Sequence, residues 1–353
     1  MSIMIDETRV EAFLGRVVDE IGAAMSVPLT VIGQRLGLYA AMGDGQPVTP
    51  AELAARTATH ERYIREWLAH QAAGGYVVYD TEAETYTLPP EHAAVLAYED
   101  SPVYQGGMFQ AATGALRAQD RVLERFRSGD GLGWHEHHHD LVEGVAESFG
   151  VAYRTFLVPE WIPALDGVEE KLERGARVAD VGCGLGISTV LLAEAYPNST
   201  FVGFDYHEES IALARQRARE AGVEDRVTFE IATAMTFPGR YDVITFFDAL
   251  HDMGDPEGAA RYALSALEDD GTWMIVEPNA GDSLAENLNP LARLSYGFSN
   301  LVCTPGSLNQ PGRAGLGTLA GEARLSEVIK KGGFGRVRRA AETPFHMVLE
   351  ARA

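Results

Sequence analysis

The stretch from Val178 to Gly186 constrains the fold more than any other part of this chain. It reads Val-Ala-Asp-Val-Gly-Cys-Gly-Leu-Gly, so an apolar run ends in Asp180 and glycines follow at the alternate positions Gly182, Gly184 and Gly186. A run that favours a helix comes next. A strand, a glycine turn and a helix in this order are typical of a loop whose backbone contacts a nucleotide-like ligand, because a Cβ on the loop would hold the ligand away.

The spacing of the glycines distinguishes between two kinds of nucleotide-binding loop. A dinucleotide-binding loop has the pattern G-x-G-x-x-G, with its third glycine one residue later, where this chain has Ile187. The spacing therefore argues against a nicotinamide-dependent dehydrogenase. A second apolar run ends in Asp205, at the place where a carboxylate takes both hydroxyls of a ribose. Together the two segments predict a ligand that contains a nucleoside.

In these residues the chain resembles the class I S-adenosylmethionine (SAM)-dependent methyltransferases. The resemblance implies SAM as cofactor and an α/β fold with a Rossmann-like sheet of seven strands, the last one antiparallel. It also implies that the glycine loop binds the methionine half of the cofactor and that Asp205 binds the ribose. The predicted cofactor contacts are Phe149, Tyr153, Asp180, Gly182, Gly184, Gly186, Asp205, Tyr206, Thr233, Ala234, Phe247 and Asp248.

Strand and helix patterns alternate from Gly175 onward, which predicts a largely parallel sheet covered on both faces by helices. The predicted strands are 177–181, 200–205, 227–231, 241–246, 272–277, 335–340 and 345–351. The predicted helices are 187–196, 208–221, 257–267 and 322–332.

The first hundred residues have a different pattern, in which helices precede a β-ribbon. Apolar residues recur at helical spacing over 9–24 and 29–38, and Thr49-Pro50-Ala51-Glu52 is a capping-box signature for a helix start. Two alternating runs, 76–79 and 85–88, predict the ribbon. The arrangement is that of a winged helix. We therefore divide the chain into a winged-helix or dimerisation domain at 1–100, a helical connector at 101–165 that contributes to the active site, and a SAM-binding domain at 166–353.

The acidic composition bears on the partners of the winged-helix domain. Asp and Glu outnumber Lys and Arg by 51 to 29, giving a formal charge of −22. Such a chain repels nucleic acid, and the helix in the recognition position carries Glu61 and Glu66 beside its arginines. We therefore predict a homodimer and no nucleic-acid partner. A ligand-sensing transcription regulator remains an alternative, which predicts salt-dependent DNA binding through 49–70.

Further function classes are disfavoured by composition. No apolar run reaches the length of a membrane span, and the first residues lack the pattern of a signal peptide. Cys183 and Cys303 have neither a disulfide framework nor a zinc-site spacing. These features predict a cytoplasmic protein without a membrane partner.

The segment after the fourth predicted strand carries the candidate catalytic histidine. Residues 248–255 read Asp-Ala-Leu-His-Asp-Met-Gly-Asp. They resemble the Leu-His-Asp-Trp-x-Asp stretch of small-molecule O-methyltransferases that have an amino-terminal winged-helix domain. The resemblance implies that His251 is the general base and that Glu277 orients it. Met253 replaces the family's tryptophan, and Thr233 stands where many class I enzymes have an aspartate near the adenine.

A run of histidines, Trp134-His135-Glu136-His137-His138-His139-Asp140, has three interpretations. It forms a metal site, it lines a substrate pocket in which Trp134, His138 and His139 meet His251, or it is a solvated helix start. Neighbouring histidines cannot all face one ion, so we predict no metal and place Trp134, His138 and His139 in the substrate pocket. The metal interpretation keeps open an alternative chemistry, metal-assisted C-methylation of an α-keto acid.

A long insertion, 287–317, follows the fifth predicted strand. Its first half is apolar and aromatic enough for a helix above a pocket, and its glycine-rich second half is expected to be mobile. Tyr296 and Asn300 are the predicted substrate contacts. The sequence therefore predicts a SAM-dependent methyltransferase, most simply an O-methyltransferase, whose acceptor is a small apolar or aromatic molecule with a hydroxyl group.

Overall fold

The computed structural model describes residues 5–353, which divide into two compact units. The first unit comprises the residues up to Gly114 together with Glu143–Val151. The second comprises Ala115–Val142 and Ala152–Ala353. Within the described residues, no helix combines the length and the apolar character that crossing a membrane requires. The domain boundaries at residues 100 and 165 remain a proposal.

The first unit consists mainly of helices, with one two-stranded antiparallel ribbon. Its elements are α1 (Glu7–Arg35), α2 (Leu38–Ala41), α3 (Pro50–Arg56), α4 (Glu61–Ala73), β1 (Val78–Asp80), β2 (Thr85–Thr87), α5 (Pro90–Leu96) and α6 (Gly106–Leu116). Thr49 and Glu52 form the predicted capping box at the start of α3. The core of this unit is built around Tyr39, Trp67 and Leu68. This arrangement confirms the predicted winged helix.

Helix α1 is longer than the sequence pattern indicated. It continues through Pro28, where we expected two separate helices, because losing one amide donor does not outweigh the packing on both sides of the proline. Ser26, Thr30 and Val31 are all buried around it. The Asp6 carboxylate caps the start of the helix by accepting hydrogen bonds from the Thr8 and Arg9 amides.

The rest of the chain alternates helices and strands. Its helices are α7 (Gln119–Ser128), α8 (His139–Ala152), α9 (Val168–Arg174), α10 (Ile187–Ala195), α11 (Glu208–Glu220), α12 (Pro256–Ala266), α13 (Pro290–Phe298), α14 (Thr304–Leu308) and α15 (Gly321–Lys331). Its strands are β3 (Arg177–Val181), β4 (Thr200–Asp205), β5 (Val227–Ile231), β6 (Tyr241–Phe247), β7 (Leu267–Pro278), β8 (Arg336–Glu342) and β9 (His346–Arg352). Short 3₁₀ turns lie at Trp134–Glu136 and Leu250–Asp252, and π-helical turns lie at Tyr153–Trp161 and Ser299–Cys303.

The seven strands form one sheet in the order β5-β4-β3-β6-β7-β9-β8. Strands β3 to β7 are parallel, and β9 is antiparallel to both of its neighbours. The predicted sheet with an antiparallel last strand is confirmed. Strand β7 begins five residues before its predicted start at 272, because Leu267 pairs with Tyr241 ahead of an irregularity in the register.

The sheet's topology places the site. The carboxyl ends of β3, β4, β6 and β7 lie at one edge, where ligands bind in open α/β sheets. A dense core of aromatic and aliphatic side chains, which includes Phe204, Phe246 and Trp273, holds these strands rigidly beneath that edge.

Candidate active site

The glycine loop after β3 adopts a conformation that only glycine takes without strain. Gly182, Gly184 and Gly186 have φ angles of +75°, +51° and +74°. A Cβ on Gly182 or Gly186 would lie within 3 Å of the Ala249 or Phe229 side chain, whereas a Cβ on Gly184 would meet nothing within 4 Å. The backbone at Gly184 therefore faces free space, which fits the predicted cradle for the methionine half of SAM.

Asp180 organises the loop from beneath. Its buried carboxylate accepts hydrogen bonds from the hydroxyls of Ser188 (2.7 Å), Thr189 (2.6 Å) and Thr245 (3.2 Å). Burial raises the pKa of Asp180 to about 6, although these three hydrogen bonds lower it. The carboxylate thus joins the start of α10 to the sheet. Its predicted contact with the cofactor stays a prediction.

Asp205 ends β4 beside the same loop. Its carboxylate accepts hydrogen bonds from the amides of Gly184 (3.0 Å) and His207 (2.8 Å), which fix the side chain at the edge of the sheet. Burial raises the pKa of Asp205, and the amide hydrogen bonds oppose the rise. The residue remains partly exposed, so lone pairs are left for ribose hydroxyls. The neighbouring Tyr206 is 41% exposed.

The predicted adenine contacts lie after β5. Thr233 is exposed, and its hydroxyl lies 2.9 Å from that of Thr236 and accepts a hydrogen bond from the Met235 amide. The Thr233 side chain thus stabilises a local turn at the position where many class I enzymes have an aspartate near the adenine. Ala234 is buried. Both contacts with the adenine stay predictions.

Phe247, Asp248 and Tyr153 meet at the end of β6. The rings of Tyr153 and Phe247 lie 5.1 Å apart, and the Tyr153 hydroxyl donates a 3.1 Å hydrogen bond to Asp248. Asp248 has a φ of +51°, an uncommon conformation for a residue other than glycine. Burial and the charge of Glu277 raise the pKa of Asp248 to about 8. Phe149 lies on α8 in the first compact unit, and its predicted role stays a prediction.

His251 and Glu277 form a short, buried hydrogen bond in the site. His251 is 3% exposed, and its Nδ1 lies 2.6 Å from Oε2 of Glu277. Oε1 of Glu277 accepts hydrogen bonds from the amides of Leu250 (2.9 Å) and His251 (3.3 Å). Glu277 therefore contacts both the imidazole and the backbone that carries it; the catalytic roles of His251 and Glu277 stay predictions.

The electrostatic surroundings of His251 favour its protonated form. Burial lowers the pKa of the imidazole, but the charges of Glu277 and Asp252 and hydrogen bonds with Cys303 and Glu277 raise it, and the net pKa lies well above its usual range. The imidazole thus has a strong affinity for a proton.

Asp252 and Cys303 were not among the predicted site residues. Asp252 Oδ1 lies 3.3 Å from Nε2 of His251; burial raises the pKa of the Asp252 carboxyl, and the nearby His251, Cys303 and Trp134 side chains oppose the rise. Asp252 follows His251 directly, so its proximity was visible in the sequence. Cys303 lies 52 residues beyond His251 and reaches it through the π-helical turn Ser299–Cys303, which no local pattern indicates.

The histidine segment is only partly joined to this cluster. Trp134 lies near Asp252, and its predicted place in the substrate pocket stays a prediction. His138 instead has its Nε2 2.8 Å from the Arg117 guanidinium and its Nδ1 3.2 Å from Asp140, and the ring of His139 lies 4.0 Å from that of His138. His138, His139 and Asp140 have metal-ligand spacing. The neighbouring Arg117 already supplies a positive charge there, which disfavours a metal ion.

The insertion after β7 begins with the predicted helix, α13. Tyr296 is partly buried on it, and the exposed Asn300 donates a hydrogen bond to the Tyr296 carbonyl. Their substrate contacts stay predictions. Two hydrogen bonds join the insertion to the segment after His251. In the glycine-rich stretch, which was expected to be mobile, the Gln310 side-chain amide donates to the Asp252 carbonyl (2.7 Å), and on α14 the Ser307 hydroxyl donates to the Met253 carbonyl (2.8 Å).

The fold and the site together define a class I SAM-dependent methyltransferase domain preceded by a winged-helix domain. Comparison with protein families agrees: residues 172–312 match the family described as "Methyltransferase domain", and residues 23–98 match the "Rv2258c-like winged HTH domain". Structural neighbours of the chain have been solved with SAM or with its product S-adenosylhomocysteine.

Several of the similar proteins are named methyltransferases or O-methyltransferases. The ubiquinone biosynthesis O-methyltransferase of Bordetella avium (strain 197N) is 36% identical over 120 residues, which cover 33% of this chain and 46% of the relative. Human N-acetylserotonin methyltransferase, solved in complex with SAM, superposes with a TM-score of 0.71 at 16% identity, covering 100% of this chain and 99% of the human chain. An O-methyltransferase family protein from Burkholderia thailandensis superposes with a TM-score of 0.69 at 18% identity, covering 96% and 97% of the two chains. The chain spans less than half the length of the curated relatives it matches.

Proposed function

We propose that this protein is a cytoplasmic enzyme that transfers the methyl group of SAM to a hydroxyl oxygen of a small apolar or aromatic molecule, with His251 as the general base. The 2.6 Å pair of His251 and Glu277 at the carboxyl edge of the sheet carries the proposal. The O-methyltransferase relatives and the glycine loop support it. Cys183 and Cys303 are both free thiols, which agrees with a reducing compartment.

The arrangement around His251 suits removal of a hydroxyl proton. A carboxylate beside Nδ1 keeps a hydrogen on that nitrogen, so Nε2 is the nitrogen that presents a lone pair once the imidazolium has lost its other proton. SAM supplies an electrophilic methyl group when it is bound. The chain's task is then to hold the acceptor oxygen in line with that methyl group and to take its proton as negative charge develops. The charges of Glu277 and Asp252 stabilise the imidazolium formed in this step.

Cofactor binding is tested by replacing Asp205 with alanine. We expect S-adenosylhomocysteine to bind the wild-type protein and the Asp205→Ala variant to bind it about 100-fold more weakly, because two charge-assisted hydrogen bonds to the ribose are lost. Calorimetric titration measures the difference. Asp225→Ala, which removes a carboxylate from the surface, is the matched control and should keep wild-type affinity. No binding by the wild-type protein would overturn the proposed function.

The pH dependence of methyl transfer tests the pairing of His251 with Glu277. Because a base must be unprotonated and the pKa of His251 is raised, we expect the rate to increase with pH up to an alkaline plateau. Glu277→Gln removes a charge that raises this pKa, so the rising limb should move to lower pH while the plateau falls. Glu257→Gln, which alters only a surface pair with Lys331, should leave the profile unchanged. An unshifted limb in Glu277→Gln would exclude His251 as the titrating group.

We also propose that the protein is a homodimer that pairs through α1. Eight large apolar side chains of this helix and its cap are about half exposed: Val10, Phe13, Leu14, Val18, Ile21, Met25, Ile32 and Leu36. Together they leave on the order of 800 Å² in water, which matches the area per partner of a standard stable interface. A second copy presents the same face, so a two-fold axis buries both at once.

The helix in the DNA-recognition position supports dimerisation over DNA binding. On α4, Arg62 pairs with Glu66 and Arg65 pairs with Glu61, so both arginines are already neutralised by neighbours on the same helix. Phosphate binding would have to displace these carboxylates.

A further inference from the structure

A compact group of three different metal-ligating side chains lies beside the proposed base. Nε2 of His251, a carboxylate oxygen of Asp252 and Sγ of Cys303 all lie within 4.8 Å of one another. His251 and Cys303 are buried, and Asp252 is nearly so. The methyl transfer proposed above uses the imidazole but leaves the thiol without a role.

Two of these atoms lie close enough to share one positive charge. Glu277 Oε2 lies 2.6 Å from Nδ1 of the imidazole, and the other ring nitrogen, Nε2, lies 3.3 Å from Asp252 Oδ1. Oδ1 is buried and has no hydrogen-bond partner among the described residues. A ring nitrogen and a carboxylate oxygen buried this close together need a positive charge beside them, and either a proton on Nε2 or a bound metal ion supplies it.

The spacing suits a tetrahedral ion. An ion about 2.0–2.2 Å from a histidine nitrogen and a carboxylate oxygen holds the two atoms roughly 3.4 Å apart, close to the observed 3.3 Å. A thiolate, a carboxylate and a neutral imidazole together carry two negative charges, which a divalent ion balances. A thiolate ligand selects a borderline or soft ion such as Zn²⁺ over Mg²⁺ or Ca²⁺.

Glu277 completes the pattern of a metal-binding histidine. Histidines that bind metals usually donate their other ring hydrogen to a carboxylate or carbonyl, which fixes the tautomer and strengthens the ligand. Glu277 does this for His251 at 2.6 Å and is itself held by two backbone amides.

We propose that His251, Asp252 and Cys303 bind one divalent transition-metal ion, for which Zn²⁺ is the best match, and that the ion and the proton-abstraction step exclude each other. Binding forms metal–nitrogen, metal–oxygen and metal–sulfur bonds, and the thiol proton and the proton on Nε2 of His251 leave to solvent. The ion occupies the same Nε2 lone pair that takes the acceptor's proton, so it inhibits methyl transfer. Only this inhibition rests on the proposed function, whereas the binding itself does not.

The binding experiment needs neither cofactor nor acceptor. Full-length protein freed of metal by a chelator is titrated with Co²⁺, whose thiolate complexes absorb in the near ultraviolet, and Zn²⁺ is then added as a competitor. We expect one equivalent of Co²⁺ with thiolate absorption, displaced by Zn²⁺. Cys303→Ser should lose this absorption and bind at least tenfold more weakly. His139→Ala, which alters the other His/Asp group, should bind as the wild type does.

Two further measurements are needed. One shows whether Cys303→Ser loses metal binding because it is misfolded, and the other shows whether the bound ion inhibits methyl transfer. Circular dichroism and S-adenosylhomocysteine affinity show whether Cys303→Ser is folded. In turnover assays Zn²⁺ should lower the rate at least tenfold, reversibly with chelator, and Cys303→Ser should need at least tenfold more Zn²⁺. Absence of thiolate absorption in the wild type, or its persistence in folded Cys303→Ser, would overturn the inference. Metal binding by a protein that fails to bind S-adenosylhomocysteine would sustain it and reject the proposed function.

Discussion

Replacing His251 with glutamine is expected to lower the rate of methyl transfer by about 10²–10⁴-fold, the usual contribution of a general base. Glutamine keeps a polar side chain of similar size that can still bond to Glu277, but it cannot accept a proton from a hydroxyl group. The affinity for S-adenosylhomocysteine should stay within about twofold, because the glycine loop and Asp205 lie on other strands. Turnover is measured as release of this product with a panel of phenols.

The matched control for this prediction is His60→Asn. His60 caps the start of α4, and asparagine can replace it there, so this variant changes a histidine outside the site without loss of the cap. A folded His251→Gln variant with wild-type turnover would reject the general-base role. α-Keto acids are included in the panel, since methylation of these and of no phenol would favour the C-methylation alternative.

The second large effect is expected at α1. Val18→Asp combined with Ile21→Asp places two charges in the middle of the exposed apolar stripe, and each charge would have to be desolvated in a paired helix. We expect the wild-type protein to be a dimer by light scattering and the double variant to be a monomer at micromolar concentration, with dimerisation at least 100-fold weaker.

Phe126→Asp serves as the control for the dimer prediction. Phe126 is 71% exposed on α7, outside the α1 stripe, so the same kind of substitution there should leave the dimer intact. A monomeric wild-type protein, or a double variant that stays dimeric, would show that α1 does not form the interface.

Much of the fold could be predicted from the sequence because the local patterns of glycines, caps and apolar residues agree with the tertiary structure of this chain. The glycine positions before α10 and the capping box at Thr49 each have one dominant structural solution. The early start of β7 was not accessible, since it depends on the pairing of Leu267 with Tyr241 across the sheet. The same holds for α1, where packing overrides the local effect of Pro28.

In the candidate site, too, residues near local motifs could be predicted and residues placed by tertiary packing could not. His251 and Glu277 are predicted as site residues from the family resemblance of segments at the ends of strands, and the topology of the sheet brings those ends together. Cys303 could not be identified, because its approach to His251 depends on one π-helical turn in a long insertion. The sequence also does not reveal every contact of a predicted residue. His138 was placed in the substrate pocket because it lies in a histidine-rich segment, and in the structure its Nε2 lies 2.8 Å from the Arg117 guanidinium.

The hydrogen bonds from Gln310 and Ser307 to the carbonyls after His251 have a consequence for engineering. Acceptor preference in such enzymes is an obvious target for grafting the insertion of one relative into another. In this chain, such a graft would also remove the two hydrogen bonds that support the turn Leu250–Asp252. The preference for an acceptor and the rate of methyl transfer would therefore change together. A chimera that exchanges only α13 and retains 307–310 would change the acceptor preference and keep the hydrogen bonds that support the turn.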